Sequence, residues 1–433
     1  MVQRVFADGP GDLDRSFGRD GRERIDISDN SYDRFAKMVT QGSKFFVLGQ
    51  TTGGNPLTNN PHIAVMKYRE DGRLDETFSE DGKVITDLSP SSSRPYQDYG
   101  RGIAIQSDGK IIVTGESYDR NASGDNIRQF VLRYTVSGEL DRTFGTGGVV
   151  WTSIEGGERP DLVKVLSTGK ILVAGWVEEW VGGRWLTRTK ISLTRYLPSG
   201  DLDSSFGDGG IGLFDIGCRD CRFAVQNNGK ILAVGNMSMT RINANGRGLD
   251  TSCGGDGSID ISYDTRAAAI QSSGNILIVS GSDLRRYSVG NCDLDVSFGS
   301  RGSVDLGFLP VNNVQTLLVD NDDKIIVGGW GGSEGFVIAR LSPTGDRDRS
   351  FGGDGIVTSN FNYDGNSETA AGVYGLAIFS GKLLAAGEVH NGEGELGALH
   401  EDIALARYDY DSPSAPGRSI NLKTFKHWYQ PKK

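Results

Sequence analysis

Short apolar runs alternate with tight polar turns along this chain, and one unit keeps returning. It has an apolar strand, a turn, a second apolar strand ending in Gly, a variable stretch, and a third strand ending in a basic residue. The fullest copy runs Gly102-Ile103-Ala104-Ile105-Gln106, the turn Ser107-Asp108-Gly109-Lys110, then Ile111-Ile112-Val113-Thr114-Gly115, and after a loop Phe130-Val131-Leu132-Arg133-Tyr134. An Asp-Gly turn between β-branched runs is a strong hairpin signal. Seven such hairpins are predicted, with second strands ending at Gly49, Gly115, Gly175, Gly235, Gly281, Gly329 and Gly387.

A nine-residue pattern, Leu-Asp-x-Ser/Thr-Phe-Gly-x-x-Gly, punctuates the units. Its seven copies begin at Leu13, Leu74, Leu140, Leu202, Leu249, Leu294 and Arg347, and they degrade mainly at Ser79, Cys253 and Arg347. An apolar stretch such as Val149-Val150-Trp151 or Ile356-Val357 follows each copy and reads as a fourth strand. Four strands in 45 to 66 residues, seven times, predict an all-β fold: a seven-bladed β-propeller of four-stranded antiparallel blades. The first motif and the strand Glu23 to Ile27 have no hairpin before them, and the third strand Ile403 to Tyr408 has no motif after it. Joining the two completes the last blade and removes a sheet edge. The propeller is thus expected over 11–411, with residues 13–28 completing blade seven and 412–433 forming a linker and a short basic-aromatic tail.

Leu and Phe of the motif are expected to bury apolar surface between blades, while its Asp and Ser/Thr take backbone bonds of the turn. A basic residue precedes each motif Asp by eight or nine positions: Lys67 and Asp75, Arg133 and Asp141, Arg195 and Asp203, Arg241 and Asp250, Arg286 and Asp295, Arg340 and Asp348. Arg407 has no downstream partner, and ring closure predicts that it meets Asp14. Seven repeats of one pair argue for a structural role, since an active site occurs once.

Composition adds little but excludes some classes. With 62 Gly the chain suits many short strands and turns. A net charge of −10 opposes nucleic acid as a partner, and no run approaches the roughly 18 apolar residues of a membrane span. Met1 to Pro10 has no apolar stretch of a signal peptide, which leaves a cytoplasmic protein or one whose leader has been removed. The early start of the first motif favours the second, and a monomer is expected.

The Leu-Asp-x-Ser-Phe-Gly motifs, the hairpins built on Asp108-Gly109-Lys110-Ile111-Ile112-Val113 and its kin, and the strand Ala404-Leu405-Ala406-Arg407-Tyr408 resemble the delta-60 repeat proteins of bacteria over about residues 11–411. That resemblance implies a β-propeller, often exported or attached to the cell surface, and carries no assigned activity.

Function is expected where the loops vary, on the face opposite the short turns. Loops are long at Gln50 to Pro61, Ser117 to Asn126, Trp176 to Thr189 and Glu388 to Glu401. The candidate ligand-binding residues there are Trp176, Trp180, Trp185, Tyr96, Tyr99, Arg101, Trp330, Glu388 and His390. Aromatic faces interleaved with charges suit a glycan or an extended polypeptide, although the tryptophans could equally pack the loop against its own rim. His390, Glu388 and Glu401 could approach one another, but a solvated polar loop is the simpler reading. No zinc-protease or nucleophile-elbow spacing occurs, so no catalytic residue, cofactor or metal is named. Asp320-Asn321-Asp322-Asp323 stands where other units have their hairpin turn and reads as a turn rather than a calcium loop. In an oxidising compartment Cys218 could pair with Cys221, and Cys253 with Cys292 between adjacent blades. The expected protein is a non-catalytic, extracellular or cell-surface binding propeller for a glycan or protein ligand. The alternatives are a carbohydrate-active hydrolase or lyase using acidic residues on the same face, and a purely structural role.

Overall fold

A computed structural model describes residues 9–28, 31–52, 60–89, 96–119, 127–154, 157–180, 187–218, 220–235, 237–261, 265–311, 313–361, 370–391 and 400–411. Every regular element among them is a β-strand. Five antiparallel sheets have four strands each: β2–β5 (Asp33–Gln41, Lys44–Thr51, His62–Arg69, Lys83–Thr86), β6–β9 (Tyr96–Ile105, Ile111–Asp119, Ile127–Tyr134, Val149–Thr152), β10–β13 (Glu158–Val165, Ile171–Trp180, Thr187–Tyr196, Ile211–Phe214), β14–β17 (Arg222–Val225, Ile231–Gly235, Ser238–Ile242, Ser258–Asp260) and β18–β21 (Thr265–Ile270, Ile276–Ser280, Asp283–Tyr287, Ser303–Asp305). The sixth has eight strands: β22–β25 (Asn313–Val319, Ile325–Gly332, Phe336–Leu341, Ile356–Ser359), β26–β28 (Ala370–Phe379, Lys382–Asn391, His400–Asp409) and β1 (Arg22–Ile25). Within it β23 pairs with β26 at Trp330↔Gly372 and Gly332↔Ala371. Trp330 lies over Gly372 so closely that a Cβ there would fall 2.5 Å from the indole ring.

The arrangement is that of a β-propeller. Consecutive first strands β2, β6, β10, β14, β18, β22 and β26 touch in turn, and β26 returns to β2. Second strands are buried on both faces, which is why they read as unbroken apolar runs; residues 45–51 of β3 are all buried. The core is accordingly layered between sheets, as where Leu48 and Val65 pack with Ile103, Val113 and Phe130. At the seam Phe45, Val47 and Ala64 pack with Leu384, Ala386 and Leu405 in the same manner. β1 pairs with β28 in the register Arg22↔Ala406 to Ile25↔Ile403.

The repeated ion pair ties these layers together. Arg133 Nε donates to Asp141 Oδ2 at 2.8 Å and Nη2 to Thr143 Oγ1 at 3.1 Å. Its Nη1 reaches the Pro198 carbonyl of the following sheet at 2.6 Å, and its guanidinium lies 4.6 Å from the Phe144 ring centroid. The set recurs with Arg195, Arg286 and Arg340, and Arg241 keeps it without the ring. Arg407 meets Asp14 at 2.9 Å, the contact expected between the two ends, and donates to Ser16 and to the Glu70 carbonyl. A backbone bond runs beside each clamp, from Gly145 N to Ser199 O, Gly207 N to Asn245 O, Gly18 N to Asp71 O and, across the seam, Gly352 N to Pro10 O.

The motif aspartates are also reached by the lysine of their own sheet's hairpin turn. Lys110 stands 3.0 Å from Asp141, Lys170 2.8 Å from Asp203 and Lys230 2.7 Å from Asp250. In β18–β21 Asn275 occupies that place, and Asp295 has Arg286 at 2.8 Å.

The motif Leu meets expectation in part, since Leu13, Leu74, Leu140 and Leu249 are half-buried and pack against the core clusters. Phe17, Phe78, Phe144, Phe206, Phe298 and Phe351 are wholly buried, but Leu202 and Leu294 are exposed. Each motif Leu also bridges through its backbone to the end of the third strand, as in Tyr134↔Leu140. Leu341↔Arg347 makes the same bridge, so Arg costs little there. Where Cys253 replaces Phe, a disulfide to Cys292 in the next sheet takes over the contact; a second joins Cys218 to Cys221. Asp320 Oδ1 accepts the amides of Asp322 and Lys324, which makes that acidic stretch the hairpin turn between β22 and β23.

Burial works against ionisation of the motif aspartates, yet their hydroxyl and cationic partners outweigh it and hold Asp75 and Asp250 at about 2 and Asp141 lower still. A lowered carboxylate pKa adds stability that is complete above the unfolded value of 3.8 and is lost as the pH falls through the folded value. Stability measured by urea unfolding is therefore expected to drop steeply between about pH 4 and pH 2. At neutral pH Asp141→Ala leaves Arg133 buried without its anion and should cost about 3–5 kcal/mol. Asp295→Ala, at the more exposed pair, should cost distinctly less in the same measurement.

Candidate functional site

Each first strand opens toward the variable loops, and most carry a β-bulge there. The register skips Ala36 in β2, Arg101 in β6, Asp161 in β10, Arg266 in β18, Gln315 in β22 and Tyr374 in β26. A bulge leaves one residue unpaired and re-aims its side chain. All six line a cavity of about 520 Å³ at the axis, where Arg222 at the start of β14 joins them. The bulge breaks the two-residue alternation by which strand faces are read, so this set is not apparent from spacing.

The cavity gathers Arg34, Lys37, Arg101, Arg222 and Arg266 around Asp161 and Glu388, with Gln50, Gln315, Tyr99 and Tyr374 between them. Arg101 grips Glu116 through Nη2 at 2.6 Å and Nε at 3.1 Å, and its guanidinium lies 5.2 Å from the Tyr99 ring centroid. Asp161 lies 3.3 Å from Arg222 and 3.6 Å from Lys37. On the opposite wall Glu388 Oε1 accepts the Phe35 amide at 3.0 Å. Arg34 pairs with Glu401 at 2.9 Å, and His390 Nδ1 stands 3.3 Å from the same carboxylate. His390 meets Trp330 edge to face, with centroids 4.8 Å apart.

Glu388, His390 and Glu401 thus form an ordered, half-buried cluster rather than a solvated loop. Burial, helped by the negative charge of Glu401, pushes Glu388 up to about 7. The bond from His390, against partial burial, holds Glu401 below the usual range. Two neighbouring carboxyl groups are thus pushed in opposite directions, Glu388 up and Glu401 down.

Of the residues named from sequence, Tyr99, Arg101 and Glu388 line the cavity, and Trp330 and His390 meet edge to face outside its lining. Tyr96 is buried at the head of β6, with the Arg128 guanidinium 5.7 Å from its ring. Trp176 packs against the core that holds Cys218, Cys221 and Phe223, its Nε1 buried without a partner. The side chain of Trp180 and the whole of Trp185 lie outside the described residues.

Residues 106–144, 166–206 and 321–351 match a family described as "Domain of unknown function (DUF5122) beta-propeller". Each of the three stretches runs from a hairpin turn to the Phe of the motif that follows it. No curated protein matches the chain. Among solved structures, a protein of unknown function from Bacteroides caccae aligns with a TM-score of 0.38 and 12% identity, over 76% of this chain and 100% of that one. No helix among the described residues is long and apolar enough to cross a membrane.

Because burial raises Glu388, its ionised form costs stability above about pH 7, and that cost disappears below the unfolded value of 4.5. Glu388→Gln keeps an acceptor for the Phe35 amide and carries no charge. The variant's melting temperature should exceed the wild type's at pH 8, and the difference should vanish as the pH is lowered to about 4.5.

Proposed function

We propose that the chain is a seven-bladed propeller of the delta-60 type, acting outside the cytoplasm as a non-catalytic binding module for an acidic glycan held at the mouth of its central channel. The eight-stranded sheet divides naturally at the β23 to β26 pairing into two blades, β22–β25 and β26–β28 with β1, which with the other five make seven. Two disulfides suit an oxidising compartment.

The observation that carries the ligand class is charge placement. A protein of net charge −10 brings five cationic side chains into one cavity, whose size is that of a small-molecule or oligosaccharide site. Arg101 and Arg222, oriented by Glu116 and Asp161, bring guanidinium charge to the cavity wall, while Tyr99 and Tyr374 offer ring surface and hydroxyls to a sugar. The rival reading, a hydrolase or lyase, draws on the opposite pKa shifts of the neighbouring Glu388 and Glu401.

A panel of uronic-acid and neutral polysaccharides separates these readings. Wild-type protein should retain the acidic polymers, with retention weakening as salt rises. An Arg101→Gln, Arg222→Gln variant should bind roughly tenfold more weakly or worse, given the value of charged hydrogen bonds. Equal retention of neutral polymers, or unchanged binding by the variant, would refute the acidic-glycan assignment. Release of reducing ends that stops in Glu388→Gln would instead establish the enzyme.

A further inference from the structure

A second cluster of donor atoms lies at the rim between β2–β5 and β6–β9, away from the channel. Asp33 and Asp98 hold corresponding places near the start of their first strands, and each fastens the chain arriving from a preceding fourth strand. Asp33 Oδ2 accepts the Ile27 amide at 2.5 Å, and Asp98 Oδ2 accepts the Leu88 amide at 2.7 Å. The second oxygens differ. Asp33 Oδ1 accepts the Ser31 hydroxyl at 2.6 Å, whereas Asp98 Oδ1 is buried without a hydrogen-bond partner in a residue that is 0% exposed.

What faces that carboxyl is His62 and Asp87. The metal-ligating atoms of the three residues all lie within 4.8 Å of one another. His62 Nδ1 is buried and makes no hydrogen bond; its 3.7 Å from Asp87 Oδ1 is an ion-pair distance and too long for one. Asp87 is held in place by the Ser89 amide on its Oδ1 at 2.8 Å, and half of its side chain faces solvent. Ser117, which pairs with Asp98 across β6 and β7, holds its buried hydroxyl beside the Asp98 carboxyl without a well-formed hydrogen bond to it.

We propose that His62, Asp87 and Asp98 bind a divalent cation of the zinc or manganese kind that ties the first two sheets together. An ion about 2.0–2.4 Å from each donor places the donors up to roughly 4–4.8 Å apart, which the cluster already satisfies. One imidazole nitrogen with two carboxylate oxygens suits a borderline transition ion better than calcium, which takes six to eight oxygens. The cation would supply the missing partners of Asp98 and His62 at once, and the open side at Asp87 leaves a position for water. His62, Asp87 and Asp98 come from the start of β4, the chain beyond β5 and the strand β6, a spacing that no linear metal motif describes.

Chelator-treated full-length protein, titrated calorimetrically with Zn²⁺, is the test, with His62→Ala and Asp87→Asn as variants. Asp98 is left intact because it also fastens Leu88. Wild type should take up one ion per chain and melt at a higher temperature with Zn²⁺. Each variant should bind at least about tenfold more weakly and lose the thermal shift. Circular dichroism of the metal-free variants checks that both fold, as expected for substitutions of partly exposed residues. Absence of stoichiometric uptake by the wild type, or equal uptake by the folded variants, would overturn the proposal, as would equally tight Ca²⁺ binding that survives in His62→Ala.

Discussion

The joint between sheets rests on a buried guanidinium that serves two sheets at once. Arg133 neutralises Asp141 in its own unit, covers Phe144, and caps a carbonyl of the next unit. A buried charge is costly unless it is paired and its donors are used, and here Nε and Nη2 are served within the unit while Nη1 finds its acceptor when the neighbouring turn is seated. Local turn and interface therefore form together. Repeat proteins gain their stability from such nearest-neighbour terms, and a ring adds one more of them by bringing Arg407 onto Asp14 and Gly352 onto Pro10.

Much of this was legible in the sequence because it is periodic. The eight- or nine-residue offset from base to Asp is the span from the end of the third strand to the turn behind it, and it even required the partner of Arg407. The burial of the motif Phe followed from its character. Leu was legible in part: four copies pack against the core, while Leu202 and Leu294 stay at the surface and keep only the backbone bridge. The lysine of the hairpin turn was visible as part of a turn, yet nothing in its spacing tied it to an Asp some 20 to 35 residues later; Lys110 and Asp141 meet only when the sheet folds.

The site was less legible for a definite reason. Strand faces are read from strict alternation, and the bulges that point Arg101, Asp161, Arg266, Gln315 and Tyr374 into the channel are interruptions of that alternation. Trp176 was attractive as an aromatic on a long loop, but it belongs to a strand and fills the space between sheets. His62, Asp87 and Asp98 are brought together across a sheet boundary, which linear spacing does not record.

The bulge also separates what the scaffold needs from what the channel displays. The backbone makes the same detour whether the skipped residue is Ala36, Asp161, Gln315 or Tyr374, so strand pairing makes no claim on its side chain, although Ala36 and Tyr374 also pack against the neighbouring core. Around the axis the positions read as a short word written on a fixed frame, some of its letters coupled by charge, as Asp161 is to Arg222 and Lys37. Rewriting one letter would alter the charge and shape offered to a ligand while every clamp, hairpin and seam kept its register.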